Sequence, residues 1–399
     1  MSKPKVFEKP VGVKDYLPGA VKKLKNIEQK VLQCMEGWGY QQIITPTIEF
    51  YDTVGAASSI SDSKLFKLLN NKGTPLVLRS DMTAPIARVV SSLLKTEELP
   101  LRLSYHANVF RTIEEEAGRD AEFFQTGLEL VGDDSAEADA EVIALSIASL
   151  KAAGVNRFKL AMGHVSFLNG LLEEKLAGRE LEKQSLRNSL LKRDYVGYRE
   201  YLDKLDLAEE DKRALAELLR LRGGEDTLQR ALQVTQHELA KQAISHLQAI
   251  WTLLKAYDVS DCVVLDLSMV GDFEYYTGMT FEGYASDLGF PIVSGGRYDK
   301  LLAQFGRPAP ATGFALKTTR ILELLGLDVT LPTNQTLVIY NAYRSTDAIK
   351  SAAKYRENGH TVIMAMKQKE EHIEQLVVRT DEGLFKYKGK LYNQVEVLE

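Results

Sequence analysis

Val109-Phe110-Arg111-Thr112-Ile113-Glu114-Glu115-Glu116-Ala117-Gly118-Arg119-Asp120-Ala121-Glu122-Phe123-Phe124-Gln125 is an apolar run, an acidic turn and a second apolar run. This pattern predicts two strands joined by a long loop, because β-branched and aromatic residues flank a charged stretch that contains glycine. Arginines and a glutamine on such a hairpin can hold a carboxylate or phosphate, since guanidinium presents a bidentate fork. Arg119 alone reads as a solvated loop residue. Arg111 and Gln125 are the candidates, because their combined spacing is the stronger signal.

Along the rest of the chain, strands are expected at residues 101–110, 123–130, 158–162, 263–267 and 279–284. Hairpin-length turns or single helices separate them, which favours an antiparallel sheet with helices packed on it, an α+β fold, over a regular βαβ repeat. Before them, Val21, Leu24, Ile27, Val31, Met35 and Trp38 recur at three- and four-residue steps and predict a helix over 20–38, ended by Gly37 and Gly39. Gln42-Ile43-Ile44-Thr45-Pro46 follows as a short strand closed by a proline that cannot donate to a ladder. Between 171 and 257 the chain turns helical and charged. There Asp206-Leu207-Ala208-Glu209 can form a capping box, and Gly223 with Gly224 stop the helix it begins. Leu331-Pro332-Thr333-Asn334 reads as a linker. A core over 1–330, with its helical insert, is thus expected before a small α/β unit over 331–399 that has strands at 337–340 and 361–366 around a helix at 347–358.

The 399 residues call for two or three domains, and 45% hydrophobic with 26% charged residues is ordinary globular composition. A net charge of -5 without a long basic block argues against tight nonspecific binding of nucleic acid, so tRNA is not an expected partner. Cys34 and Cys262 form no CxxC pair, and the six histidines show no HExxH spacing; neither a disulfide framework, a metal nor a cofactor is expected. No signal core or spanning apolar run is seen, which points to the cytoplasm and to no membrane partner.

Three further stretches carry chemistry. In Leu78-Arg79-Ser80-Asp81-Met82-Thr83, Asp81 and Thr83 share a face if the segment is extended and could clasp an ammonium group; capping of a following helix is the competing reading. Around Glu274-Tyr275-Tyr276-Thr277-Gly278, an acid beside tyrosine hydroxyls can satisfy both nitrogens of an imidazole. Adjacent strand tyrosines would point to opposite faces, leaving one for packing. Ser294-Gly295-Gly296-Arg297-Tyr298-Asp299 and Ala311-Thr312-Gly313-Phe314 carry glycines that suit turns or close backbone approach to a ligand.

Together these residues resemble the class II aminoacyl-tRNA synthetase core, specifically histidyl-tRNA synthetase, over about residues 6–325. The first class motif resembles the helix and strand ending at Pro46, the second Phe110-Arg111-Thr112-Ile113-Glu114 through Phe123-Phe124-Gln125, and the third Gly313-Phe314-Ala315 through Arg320. The histidine-specific signatures are similar to 274–278 and 295–299. Departures from the pattern fall on the nucleotide side. Gly271 stands where the recognition loop carries arginine, Ala121 where the second motif has another, and Lys317 and Thr319 replace a glycine and an acid of the third. Losing two cations costs about 3 kcal/mol of transition-state stabilisation per donor, so aminoacylation is not expected. Asp81, Thr83, Arg111, Gln125, Glu274, Tyr275 and Tyr276 remain as a histidine-binding set with no catalytic residue among them.

This mixture resembles the regulatory subunits of ATP phosphoribosyltransferase, which are synthetase-like partners of a short catalytic subunit in the first step of histidine biosynthesis. The resemblance implies a non-catalytic chain that self-associates, joins the short-form catalytic subunit, activates it and transmits inhibition by L-histidine. A divergent histidyl-tRNA synthetase is the alternative, and an RNA-binding regulator the third reading.

Overall fold

The computed structural model describes residues 7–58, 60–112, 120–270, 275–286, 288–326, 334–368 and 373–399. The first compact unit, Met1–Leu327, opens with α1 (Pro18–Glu36), whose buried stripe is Leu24, Ile27, Val31 and Met35. Gly37 caps the helix and Gly39, at φ +85°, turns the chain back. There follow β1 (Gln41–Gln42), β2 (Ile48–Phe50), β3 (Lys67–Leu69), β4 (Pro75–Leu78), α2 (Thr83–Ser92), β5 (Leu101–Phe110), β6 (Glu122–Val131), α3 (Ala136–Ala152) and β7 (Phe158–His164). The insert comprises α4 (Val165–Lys175), α5 (Glu180–Leu191), α6 (Tyr195–Lys204), α7 (Glu209–Glu217), the short β8 (Arg222–Gly223), α8 (Asp226–Val234) and α9 (Glu238–Ala256). β9 (Val263–Asp266), β10 (Met279–Ala285), β11 (Val293–Arg297), β12 (Ala311–Lys317) and α10 (Thr318–Leu325) complete the unit.

One sheet organises it, in the order β1-β5-β6-β12-β11-β10-β7-β9-β8. Its central run from β5 to β7 is antiparallel, as expected, but β1 joins β5 and β9 joins β7 in parallel, so the sheet is mixed. Helix α3 packs against both α1 and α9, and their apolar faces share a core with Leu128, Leu130, Leu160, Met162, Phe281 and Phe314 of the sheet. Burying such an apolar layer is the main favourable term in assembling the unit. A smaller sheet, β2-β4-β3, lies in the same unit.

Four local expectations are corrected. The strand expected over 42–46 stops at Gln42: Ile43 still donates to the Ser104 carbonyl at 2.8 Å, but Ile44 is 85% exposed and Pro46 cannot extend the ladder. The capping box is absent, because Ala208 occupies the N-cap of α7 and Asp206 falls two residues short of it. Gly223 does not stop that helix. A 3-10 turn over Leu218–Arg220 follows α7, and Gly223, at φ +147°, pairs with Leu265 within β8. Gly295, Gly296 and Gly313 lie inside β11 and β12, not in turns. A Cβ on Gly295 would sit 2.5 Å from the Gly313 carbonyl oxygen and 2.6 Å from the Phe281 ring.

The second unit, Asp328–Glu399, contains β13 (Gln335–Tyr340), α11 (Ser345–Glu357), β14 (Thr361–Met366), α12 (Ile373–Leu376), β15 (Val377–Arg379), β16 (Phe385–Tyr387), β17 (Lys390–Tyr392) and β18 (Gln394–Leu398). β13 runs parallel to both β14 and β18, while β15, β16 and β17 form an antiparallel sheet. Tyr387 and Tyr392 close a small core with Leu337 and Ile339. Residues 331–333 of the expected linker lie outside the described residues. Among the described residues, no helix is long and apolar enough to cross a membrane.

Candidate functional site

Alternation along β6 sends Phe123, Gln125, Gly127 and Glu129 to one face of the sheet. Across the ladders, Tyr105 of β5 lies opposite Gly127, while Gly313 and Lys317 of β12 lie opposite Glu129 and Gln125. The glycines make room. A Cβ on Gly127 would sit 2.5 Å from the Tyr105 hydroxyl, and one on Gly313 would collide with the Glu129 carboxylate. Above this floor opens a cavity of about 900 Å³.

Asp81, Thr83, Arg111, Gln125, Tyr275 and Tyr276 all line that cavity. Glu274, like Arg119 and Gly271, lies outside the described residues. Asp81 and Thr83 do not share an extended strand: Met82, the N-cap of α2, already has right-handed helical backbone angles, and Asp81 Oδ1 accepts from the Ala84 N–H at 3.2 Å in the first turn of α2. They still serve one place. Asp81 Oδ2 accepts from the Ser58 hydroxyl at 3.0 Å, and Thr83 donates to Glu129 Oε1 at 2.8 Å.

The tyrosine pair also departs from expectation. Tyr275 and Tyr276 precede β10 in a turn, so strand alternation does not apply, and both rings line the cavity. Their centroids lie 5.0 Å apart at 75°, and Tyr275 meets Tyr298 edge-on at 5.4 Å. Burial, with Asp81 and Glu129 nearby, raises the Tyr275 hydroxyl far above its usual range.

Glu129 and Tyr298 are further cavity-lining residues that sequence reasoning did not single out. Glu129 is buried, accepts hydrogen bonds from Thr83 and Tyr298, and faces Gly313. Burial pushes its carboxyl up to about 8; the two hydroxyl donors oppose that rise and the Asp81 charge adds to it. Its period-two relation to Gln125 was the available signal, and Tyr298 stood within the glycine-rich stretch already noted.

The opposite end of the cavity has a different character. Lys317, Thr319 and Arg320 line it with Asp120 and Glu323, and Lys14 neutralises part of that acidity, 2.8 Å from Asp120. Thr319 Oγ1 accepts the Phe124 N–H at 2.9 Å, and Arg320 donates to the Pro291 carbonyl at 2.9 Å while lying over Phe290. Arg111 donates through Nε to the Ser80 carbonyl at 3.0 Å and stacks 5.3 Å from the Phe123 centroid. Arg193 reaches in from the insert and pairs with the buried Glu282 at 2.7 Å. Arg297 turns the other way, to Asp139. Among the described residues, no group of side chains is arranged to hold a metal.

The model of the family described as "Histidyl-tRNA synthetase" matches residues 12–321. An ATP phosphoribosyltransferase regulatory subunit from Halalkalibacterium halodurans is 47% identical over 365 residues, covering 91% of this chain and 92% of that protein. The protein of the same description from Bacillus subtilis (strain 168) is 45% identical over 371 residues, covering 93% and 94%. A crystal structure described as an ATP phosphoribosyltransferase regulatory subunit/histidyl-tRNA synthetase from Bacillus halodurans aligns over 100% of both chains, with a TM-score of 0.88 and 42% identity. Histidyl-tRNA synthetase from Nostoc sp. shares the fold at a TM-score of 0.78 and 20% identity, covering 97% and 96%. On a synthetase-like framework, with relatives matched over nearly their whole length, the chain belongs to the ATP phosphoribosyltransferase regulatory subunit family.

Proposed function

We propose that this chain binds the short-form catalytic subunit of ATP phosphoribosyltransferase, raises its activity, and conveys inhibition by free histidine bound in the 900 Å³ cavity. The observation that carries the proposal is the buried carboxyl of Glu129, set against Thr83 and Tyr298 in a cavity that also holds Asp81, Gln125, Tyr275 and Tyr276. A carboxyl titrating near 8 is mostly protonated at neutral pH and can donate to one imidazole nitrogen, while a neighbouring hydroxyl serves the other. In this reading Asp81 serves the α-ammonium group and Arg111 the carboxylate.

At the far end, Lys317 projects where the synthetase pattern has glycine, and Thr319 accepts a main-chain N–H in place of an acid. This supports recognition without amino-acid activation. Self-association belongs to the same reading. Phe50, Leu76 and Leu68 are in register across β2, β4 and β3, and Ile48 lies two residues from Phe50, so the exposed Ile48, Phe50 and Leu68 share one face of that sheet with half-buried Leu76. The units Met1–Leu327 and Asp328–Glu399 are taken as separate domains of one regulatory subunit.

The test is reconstitution with the short catalytic subunit. Addition of this chain should raise phosphoribosyl transfer, and histidine should reverse the gain; a catalytic subunit indifferent to the chain would refute the proposal. Histidine-dependent ATP–pyrophosphate exchange by the chain alone would favour a divergent synthetase instead.

A further inference from the structure

Behind the tyrosine pair lies a buried charge cluster that the cavity chemistry does not use. Thr277 donates its N–H to the Arg297 carbonyl at 2.8 Å, and its Oγ1 accepts from the Asp299 N–H at 3.0 Å. Gly278 lies flat on the Arg297 side chain, where a Cβ would come within 3.0 Å of Cδ. Arg297 points away from the cavity: Nε donates to Asp139 Oδ2 at 3.0 Å, and Nη2 lies 2.9 Å from Oδ1. Asp139 is fully buried in the first turn of α3. The same Oδ2 lies 2.8 Å from His246 Nε2, which comes from α9, the last helix of the insert. His246 in turn meets His164 edge-on at 5.7 Å, at the start of α4. From that side, the Val165 N–H donates to the Gly278 carbonyl at 3.0 Å and the Ser166 hydroxyl to the Thr277 carbonyl at 3.3 Å. The first helix of the insert therefore grips the two residues that follow the tyrosines directly, and the last reaches them through Asp139 and Arg297.

We propose that Arg297, Asp139 and His246 are positioning residues that hold Tyr275 and Tyr276 in their binding arrangement, and thereby tie ligand affinity to the docking of α9. The Arg297 guanidinium is also held by the Asp133 and Ser135 carbonyls and by Asp299 Oδ1, so loss of His246 leaves the Asp139–Arg297 pair formed but strips Oδ2 of its second donor and the pair of its tie to α9, which loosens the main chain at 277–278 that rests on Arg297. The affinity part rests on histidine being the ligand. His246 is 25% exposed at its side chain, so it can be replaced without opening the core.

The experiment uses the full chain and three variants, reading histidine affinity by calorimetry and amide exchange at Thr277 by mass spectrometry or NMR. His246→Ala should weaken histidine about tenfold, as loss of a charge-assisted hydrogen bond implies, and should speed Thr277 exchange. His246→Phe keeps a ring but no donor and should show the same losses. His246→Gln, whose amide can donate to Asp139, should recover most of both. If wild-type protein binds no histidine, the proposed function fails, and Thr277 exchange alone decides the positioning role. Unchanged Thr277 exchange in the Ala and Phe variants, or unchanged affinity where the wild type binds, overturns the inference.

Discussion

Burial holds the Glu129 carboxyl up to about 8 from its ordinary 4.5, so the folded chain prefers the protonated acid. The stability this contributes is fully present below 4.5 and is lost as pH rises through about 8. Glu129→Gln, which stays neutral, should flatten that slope in melting experiments between those pH values and melt higher than wild type at the alkaline end. His164 has the opposite sign. Burial, with the charge of His246 adding to it, brings its imidazole down to about 4 from 6.5. Its contribution is complete above 6.5 and lost as pH falls through about 4, a loss that His164→Gln should remove from the acid limb of the melting profile. At this scale the sequence was legible where a residue type announces its chemistry. Asp81, Thr83, Arg111, Gln125, Tyr275 and Tyr276 meet in one cavity. Glu129 was hidden because a glutamate in a strand ordinarily faces solvent; only its register opposite Gly313 reveals that it faces inward.

Among the elements, the insert shows how one side chain can fasten two helices. Glu174, near the end of α4, accepts from the Gln236 and His237 N–H groups at 2.8 and 2.9 Å and from the Thr235 hydroxyl, at the start of α9. Burial opposes its charge, but hydrogen bonds from Lys175, Thr235 and those amides prevail and bring the carboxyl down to about 2. Glu174→Ala should cost about 1–2 kcal/mol in denaturant titrations, as loss of a helix cap does. The wild-type advantage should be complete above 4.5 and fade as pH falls through about 2. Strands with apolar alternation, such as β5 over Leu101–Phe110, could be read within a residue or two of their ends. β11 and β12 could not. Their glycines are demanded by neighbours, Phe281 against Gly295 and Tyr276 against Gly296, and a close approach between strands leaves no periodicity in either sequence. The Asp206 box failed for another reason: its spacing is right, but the chain enters the helix two residues later.

At the scale of the whole molecule, the ordered set of motifs carried the fold class through the resemblance it makes, and the nine-stranded sheet with helices packed on it bears that out. Partnership is less legible, since a contact surface has no period of its own. The stripe made by exposed Phe50 and Leu68 with half-buried Leu76 between them gives it a test. Phe50→Asp should lower the assembly mass seen by sedimentation while leaving melting almost unchanged, because burying one aromatic between subunits contributes about 1.5–3 kcal/mol to their association. An unaltered mass would remove that face from the contact. The cavity has one more consequence, for the order of biogenesis. Its floor joins β6 to β12, and Thr126 bonds Thr318 across 192 residues of sequence with the whole insert between them. Such a closure is slow, and it waits until nearly all of the first unit has left the ribosome. Until β12 arrives, β6 keeps an unpaired edge and Glu129 has no opposite wall. Under the proposed function, histidine would bind finished chains and not nascent ones, and an excess of it should favour the completed state over its aggregation-prone precursors.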